Sequence, residues 1–139
     1  MALIIEIEEY VNKVQDKRIG SHVDVENLSK LFEQLHFDLT HKKNLTRQEF
    51  YKELRSFAQN SAHRDADMMI LAVLSHGRDG QVYASDGLVV ETEDIYARFN
   101  NQNCPLLRGK PKFFIVQACR GEDTDVAFEL YPEEKVATR

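Results

Sequence analysis

With 139 residues, 42% of them hydrophobic and 29% charged, the chain can bury one core but not two. A net charge of −5 argues against general nucleic-acid binding, which needs clustered Lys and Arg, and no apolar run approaches the roughly 20 residues of a membrane span. Two cysteines, Cys104 and Cys119, make no disulfide framework, and the opening Met1-Ala2-Leu3-Ile4-Ile5-Glu6 turns acidic too soon for a secretory signal, so a reducing, cytoplasmic setting is expected.

The apolar, β-branched stretch Leu3 to Ile7 predicts a first strand, followed by a polar loop from Asp16 to His22. Asp24 is placed to cap a helix whose apolar positions Val25, Leu28, Leu31, Phe32 and Leu35 recur at helical spacing. Phe37 to Thr40 is too brief for periodicity to separate strand from loop. Thr46-Arg47-Gln48-Glu49 has the form of a capping box and opens a second helix with Phe50, Leu54, Phe57 and Ala58 on one face. Met68 to Leu74 is apolar throughout and of strand length, as a strand buried on both faces must be. Gly80 to Val90 predicts a hairpin, with Asp86-Gly87 as a two-residue turn between Val82-Tyr83 and Leu88-Val89-Val90. A short amphipathic helix is expected at Ile95 to Phe99, then a loop punctuated by Pro and Gly, then a strand from Lys112 to Gln117. Beyond Gly121 the chain is acidic and without pattern, so 122–139 is expected to be loop or tail. Strands alternating with amphipathic helices predict an α/β fold, a mostly parallel sheet flanked by helices on both faces.

Two of these strands run into reactive residues. Met68–Leu74 leads to Ser75-His76-Gly77, and the later strand leads to Gln117-Ala118-Cys119-Arg120-Gly121. Ligands of parallel sheets sit beyond the carboxyl ends of the strands, so adjacent strands would bring His76 and Cys119 together there. A thiolate is a strong nucleophile at neutral pH and needs an imidazole to manage protons. A single free cysteine is often an inert core residue, and a single histidine at a strand end is common; the pairing is what points to nucleophilic catalysis. Gly77 would free the backbone to turn sharply and present its N–H, which with the N–H of Cys119 makes a two-donor oxyanion hole. Cys104, ahead of Pro105, has no chemical neighbour in sequence. His22, His36, His41 and His63 show no metal-ligand spacing, and neither metal nor cofactor is expected.

The run Gln117–Gly121 with a histidine upstream matches a signature of caspases, and the chain resembles a caspase large subunit over nearly its whole length. The resemblance implies a cysteine endopeptidase that cuts proteins after aspartate, with Cys119 as nucleophile and His76 as acid and base. The amides of Gly77 and Cys119 would hold the oxyanion. No aspartate would complete a triad; a backbone carbonyl from the loop before Arg18, that of Asp16, would orient His76 instead. Arg18-Ile19-Gly20-Ser21-His22-Val23-Asp24 resembles the family's Arg-x-Gly-x-x-x-Asp stretch, whose Arg lines the pocket for the substrate aspartate. By itself Arg18, beside Asp16 and Lys17, would read as an exposed loop charge. An Arg suits the role because its planar fork binds a carboxylate bidentately. Gln117 would be the second polar contact in that pocket. His22 departs from the small or acidic residue associated with its position. Arg120 is read as bracing the loop after Cys119 or pairing with a partner, outside the site.

Caspases are built from a large and a small subunit cut from one zymogen, and pair as a dimer of heterodimers. The resemblance therefore implies 1–121 as large-subunit catalytic domain and 122–139 as inter-subunit linker. The small subunit would supply further strands, another pocket Arg and most contacts to the upstream substrate residues. Alone, the chain would be inactive and would expose an apolar sheet edge. The implied setting is apoptosis or inflammatory signalling. The alternative is a catalytically silent caspase-like regulator that binds an active relative; such proteins usually lack the nucleophile or the histidine, and both are present here.

Overall fold

The chain runs β1 (Ala2–Glu6), α1 (Ser21–Gln34), β2 (Leu39–Lys43), α2 (Arg47–Ala58), β3 (Met69–Arg78), β4 (Gln81–Tyr83), β5 (Val89–Glu91), α3 (Thr92–Ala97), β6 (Lys112–Arg120) and β7 (Asp123–Tyr131), with 3₁₀ turns at Ser61–Asp65 and Pro105–Leu107. The computed structural model describes residues 1–11, 17–120 and 123–131, giving the backbone course alone for Cys119, Arg120 and 123–131. Parallel pairing orders four strands as β2-β1-β3-β6. β7 adds antiparallel to β6, and the β4–β5 hairpin branches antiparallel from the end of β3. The result is a mixed sheet, parallel at its centre. Among the described residues no helix is long and apolar enough to cross a membrane.

Burial of β1 and β3 explains their uniform apolarity. Leu3, Ile5, Leu71, Val73, Phe114 and Val116 share one core with Phe50, Leu54 and Phe57 of α2 and Ile95 of α3. The alternate residues Ala2, Ile4, Ile70, Ala72 and Leu74 pack on the other face against Val25 and Phe32 of α1. Each large apolar side chain fully removed from water contributes about 1.5–3 kcal/mol, so the two faces together hold the sheet in place. The helices flank both faces, as expected. The capping box at the start of α2 is present: Glu49 N–H donates to Thr46 Oγ1 at 3.3 Å and Thr46 N–H to Glu49 Oε1 at 3.2 Å.

Three local expectations are corrected. Helix α1 starts at Ser21 rather than after Asp24, with Gly20 at φ 83° as its cap. The hydroxyl of Ser21 is committed to the Glu6 carboxylate, which pins the helix start to β1, and Asp24 sits in the first turn where it favours the helix dipole. The hairpin pairs Tyr83 with Val89, so its loop is 84–88 and not the two-residue turn Asp86-Gly87. Ala84 N–H bonds Leu88 O at 2.8 Å, Gly87 closes the turn at φ 79°, and Ser85 N–H reaches Leu45 O at 2.9 Å, tying the loop to the core.

The third correction concerns the end of the chain. Residues 123–131, expected as loop, form β7, in register from Lys112↔Tyr131 to Arg120↔Asp123. Val126, Phe128 and Leu130 alternate with Asp125, Ala127 and Glu129, a strand period that the acidic composition masks. β6 is therefore paired on both sides, by β3 and by β7. Residues 12–16, 121, 122 and 132–139 lie outside the described residues.

His63, in the first 3₁₀ turn, has no exposed surface; its Nε2 lies 2.7 Å from Phe57 O and its Nδ1 has no partner. Burial holds its pKa below the ordinary value, and Lys110, whose ammonium donates to the carbonyls of His63 and Arg64, opposes protonation further. The unfolded chain then binds a proton that the folded chain resists. Stability from this group is complete above the ordinary histidine pKa of about 6.5 and is lost as pH falls below it. Thermal melts should show Tm falling from pH 7.5 to 5.5, with a flatter slope in His63→Gln; an unchanged slope in the variant would place the effect elsewhere.

Candidate active site

The parallel register of β3 and β6 pairs Leu74 with Gln117, Ser75 with Ala118 and His76 with Cys119. Adjacent strands lie about 4.8 Å apart, so the backbones at His76 and Cys119 are direct neighbours. No turn intervenes, because β3 continues through Ser75-His76-Gly77 to Arg78 and β6 continues through Cys119 to Arg120. The imidazole of His76, half-buried, lies against the ring of Tyr10, with centroids 5.3 Å apart and planes tilted by 33°. The His76 backbone N–H donates to Tyr10 Oη at 2.8 Å. Asp16 and Gly121 fall outside the described residues.

Arg18 is 6% exposed, not the surface charge that its neighbours Asp16 and Lys17 suggest. Its N–H donates to Glu8 O at 2.9 Å, its Nη1 to Ile7 O at 3.3 Å and its Nη2 to Gln117 Oε1 at 3.4 Å. Its Nε is buried without a partner, and it makes no ion pair among the described residues. The carboxylates of Glu6 and Glu8 are taken by other groups. Lys43 Nζ lies 2.6 Å from Glu8, and that hydrogen bond holds the Glu8 carboxyl below its usual range. Glu6 accepts from Ser21 and lies 3.1 Å from His41 Nε2. A buried cation without an anion costs several kcal/mol, and among the described residues no carboxylate pairs with this one. Gln117 also lines a cleft of about 250 Å³ with Asp24, Asn27, Leu28, Leu74 and Ile115, on the α1 face of the sheet.

Gly77 is needed for space rather than for a turn. A Cβ there would stand 2.5 Å from Gln81 O and 2.8 Å from Ala118 Cβ, because β3 is paired with β4 and β6 at the same point. Gly77→Ala must push those strands apart beside His76. Overpacking of this kind costs about 1–3 kcal/mol, and a displaced site about a hundredfold in rate. Melting and steady-state assays of the variant should show both losses together; a wild-type rate at reduced Tm would separate Gly77 from the site.

Cys104 is buried, its thiol donates to Ala58 O at 3.2 Å, and burial pushes its pKa up, which keeps it protonated and unreactive. Sequence reasoning missed Tyr10 and Ser75. Tyr10 lies in a segment without periodicity, and Ser75 carries no signal beyond its place before His76.

The chain is similar to known proteins over most of its length. A family model described as the caspase domain matches residues 1–138. Caspase-14 of Mus musculus is 40% identical over 119 residues, which is 84% of this chain and 46% of that protein. Caspase drICE of Drosophila melanogaster is 36% identical over 125 residues, 90% of this chain and 36% of that protein. Among solved structures, that of pro-sf-caspase-1 aligns with a TM-score of 0.82 at 36% identity, covering 97% of this chain and 51% of that one. The chain thus spans about half, or less, of the length of these relatives.

Proposed function

The chain belongs to the caspase family, and from that membership we propose that it is the large-subunit part of a cysteine endopeptidase that cleaves proteins after aspartate. The observation that carries the reading is Arg18, a buried guanidinium with an unpartnered Nε, bonded to a Gln117 that stands two positions before Cys119. A substrate aspartate seated on Arg18 and Gln117 supplies the missing anion. Its own carbonyl then lies further along the strands, where two residues of extended chain span about 6–7 Å and reach the His76–Cys119 pair.

The chemistry follows from those positions. The Cys119 thiolate attacks the carbonyl carbon, a C–S bond forms, and the carbonyl electron pair moves to oxygen. The N–H groups of Gly77 and Cys119 donate to that oxyanion, each worth about 10²–10³ in rate. His76 gives its proton to the leaving amine as the C–N bond breaks, which leaves a thioester. It then takes a proton from water, the hydroxide adds to the thioester, and collapse releases the acid and restores the thiolate.

The chain spans only part of its relatives, and Phe113 and Ile115 of β6 are only partly covered on the α1 face. This supports a small-subunit partner, and with it we propose assembly as a dimer of heterodimers and residues 1–121 as the catalytic segment; of 122–139, proposed as linker, β7 is held in the sheet. A cytoplasmic zymogen acting in apoptosis or inflammation completes the proposal. Nothing in the site favours a silent regulator, since nucleophile, histidine and pocket residues are all present. The test is refolding with the segment that completes the domain, then assay of fluorogenic tetrapeptides ending in Asp, Glu or Ala. Thiol-dependent cleavage after Asp, at least about 10²-fold faster than after Ala, is expected; a folded, dimeric complex that cleaves none of them would overturn the reading.

A further inference from the structure

We propose that Tyr10 is a positioning residue for His76, acting through a hydrogen-bond relay that runs in one direction; this rests on the reading of His76 as the acid and base. The direction follows from counting protons. Ser75 Oγ donates its only proton to Tyr83 O at 2.6 Å, so in its 2.7 Å contact with Tyr10 Oη the serine accepts and the tyrosine donates, the Ile7 carbonyl at 3.4 Å being the longer of the two acceptors for that proton. Tyr10 Oη in turn accepts the His76 N–H at 2.8 Å. The relay is His76 N–H to Tyr10 to Ser75 to the Tyr83 carbonyl.

Its place in the sheet says why it is needed. β1 pairs with β3 only as far as Glu6↔Leu74, with a last bond from Ile7 N–H to Leu74 O at 2.8 Å. Backbone groups of alternate residues point to the same side of a strand, so His76 presents its N–H where β1 has ended. The Tyr10 hydroxyl takes over where the ladder stops. The same ring lies 5.3 Å from the imidazole, which restricts its rotation. Tyr10 is 8% exposed and packs in the main core, a task that phenylalanine would perform equally. The hydroxyl is the part that packing does not explain. Tyr10 thus holds both the peptide and the ring face of His76, while Ser75 and Tyr83 bind the relay to β3 and β4.

The experiment compares wild type, Tyr10→Phe, Ser75→Ala and the double variant, each refolded with the segment that completes the domain. Tyr10→Phe keeps the ring and is expected to lower kcat about tenfold with KM for an Asp-ending peptide within about twofold. The pH profile of Cys119 alkylation by iodoacetamide should shift with it. Ser75→Ala should lower kcat about threefold, and the double variant should match Tyr10→Phe, since both act in one relay. Active-site titration separates slow sites from unfolded ones. If titrated Tyr10→Phe sites turn over at the wild-type rate with an unshifted alkylation profile, Tyr10 is a core residue only and the proposal falls. Should Tyr10→Phe fail to fold, Ser75→Ala decides alone, and an unchanged kcat there overturns the relay. A wild-type complex that cleaves no peptide refutes the protease reading instead, and the alkylation profile still reports on Tyr10.

Discussion

Cys119→Ala, refolded with the segment that completes the domain, is expected to lose at least about 10⁴-fold in kcat on Asp-ending peptides while still binding them. The thiolate forms the only covalent bond between protein and substrate in the proposed cycle, and the other cysteine of the chain is no substitute. Cys104 is buried and bonded to Ala58 O, with its thiol pKa raised. Binding is expected to survive because the variant leaves untouched the proposed seat of the substrate aspartate, Arg18 and the Gln117 it bonds, which stands two positions earlier on β6. His76→Ala should be of similar severity, and the double variant little worse than either, since the proposed nucleophile and base stand in adjacent register and would act as one unit. Stopped-flow and peptide-binding measurements on the same preparations separate the two effects. Retained turnover in Cys119→Ala would remove the nucleophile assignment.

Much of this arrangement is legible in the sequence. Uniform apolarity identified β1 and β3, and local capping chemistry identified α2, because in each the deciding interactions lie within a few residues or repeat along the element. The neighbourhood of His76 and Cys119 followed from a general property of parallel sheets, and the register bears it out. Arg18 was legible only through family resemblance. Its burial depends on Ile7 and Gln117, from opposite ends of the chain, and composition near Arg18 pointed to the surface. Gly77 was singled out for a turn that does not exist; its real constraint is the approach of Gln81 and Ala118, a tertiary fact. β7 was missed because acidic residues drew attention from the alternation of Val126, Phe128 and Leu130. Tyr10 was illegible for a deeper reason: its role exists only because β1 stops short beside β3.

Arg18→Met is expected to move two measurements in opposite directions. In the complete domain, kcat/KM for Asp-ending peptides should fall about 10²–10³-fold, the cost of losing a buried charge-assisted contact to the substrate carboxylate. The substrate-free protein should be no less stable, and its Tm should rise by about 3–5 °C if the gain is near 1 kcal/mol. Against the wild-type guanidinium stands the desolvation of a buried cation with no carboxylate partner among the described residues and an unpartnered Nε. In its favour stand hydrogen bonds of 3.3 Å to Ile7 O and 3.4 Å to Gln117 Oε1, long for charge-assisted bonds and so worth about 1–1.5 kcal/mol each. Methionine has similar length, carries no charge and fills the space, so the penalty disappears with the function. Arg18→Lys keeps the charge but not the fork, and should lose about tenfold in kcat/KM. A methionine variant that melts well below wild type would mean that the fold itself supplies the counter-ion; one that cleaves after aspartate at the wild-type rate would take Arg18 out of the pocket. On the proposed reading, the charge left without a carboxylate among the described residues is the one a substrate aspartate would neutralise, so the instability of the empty site and the selectivity of the filled one would have a single cause.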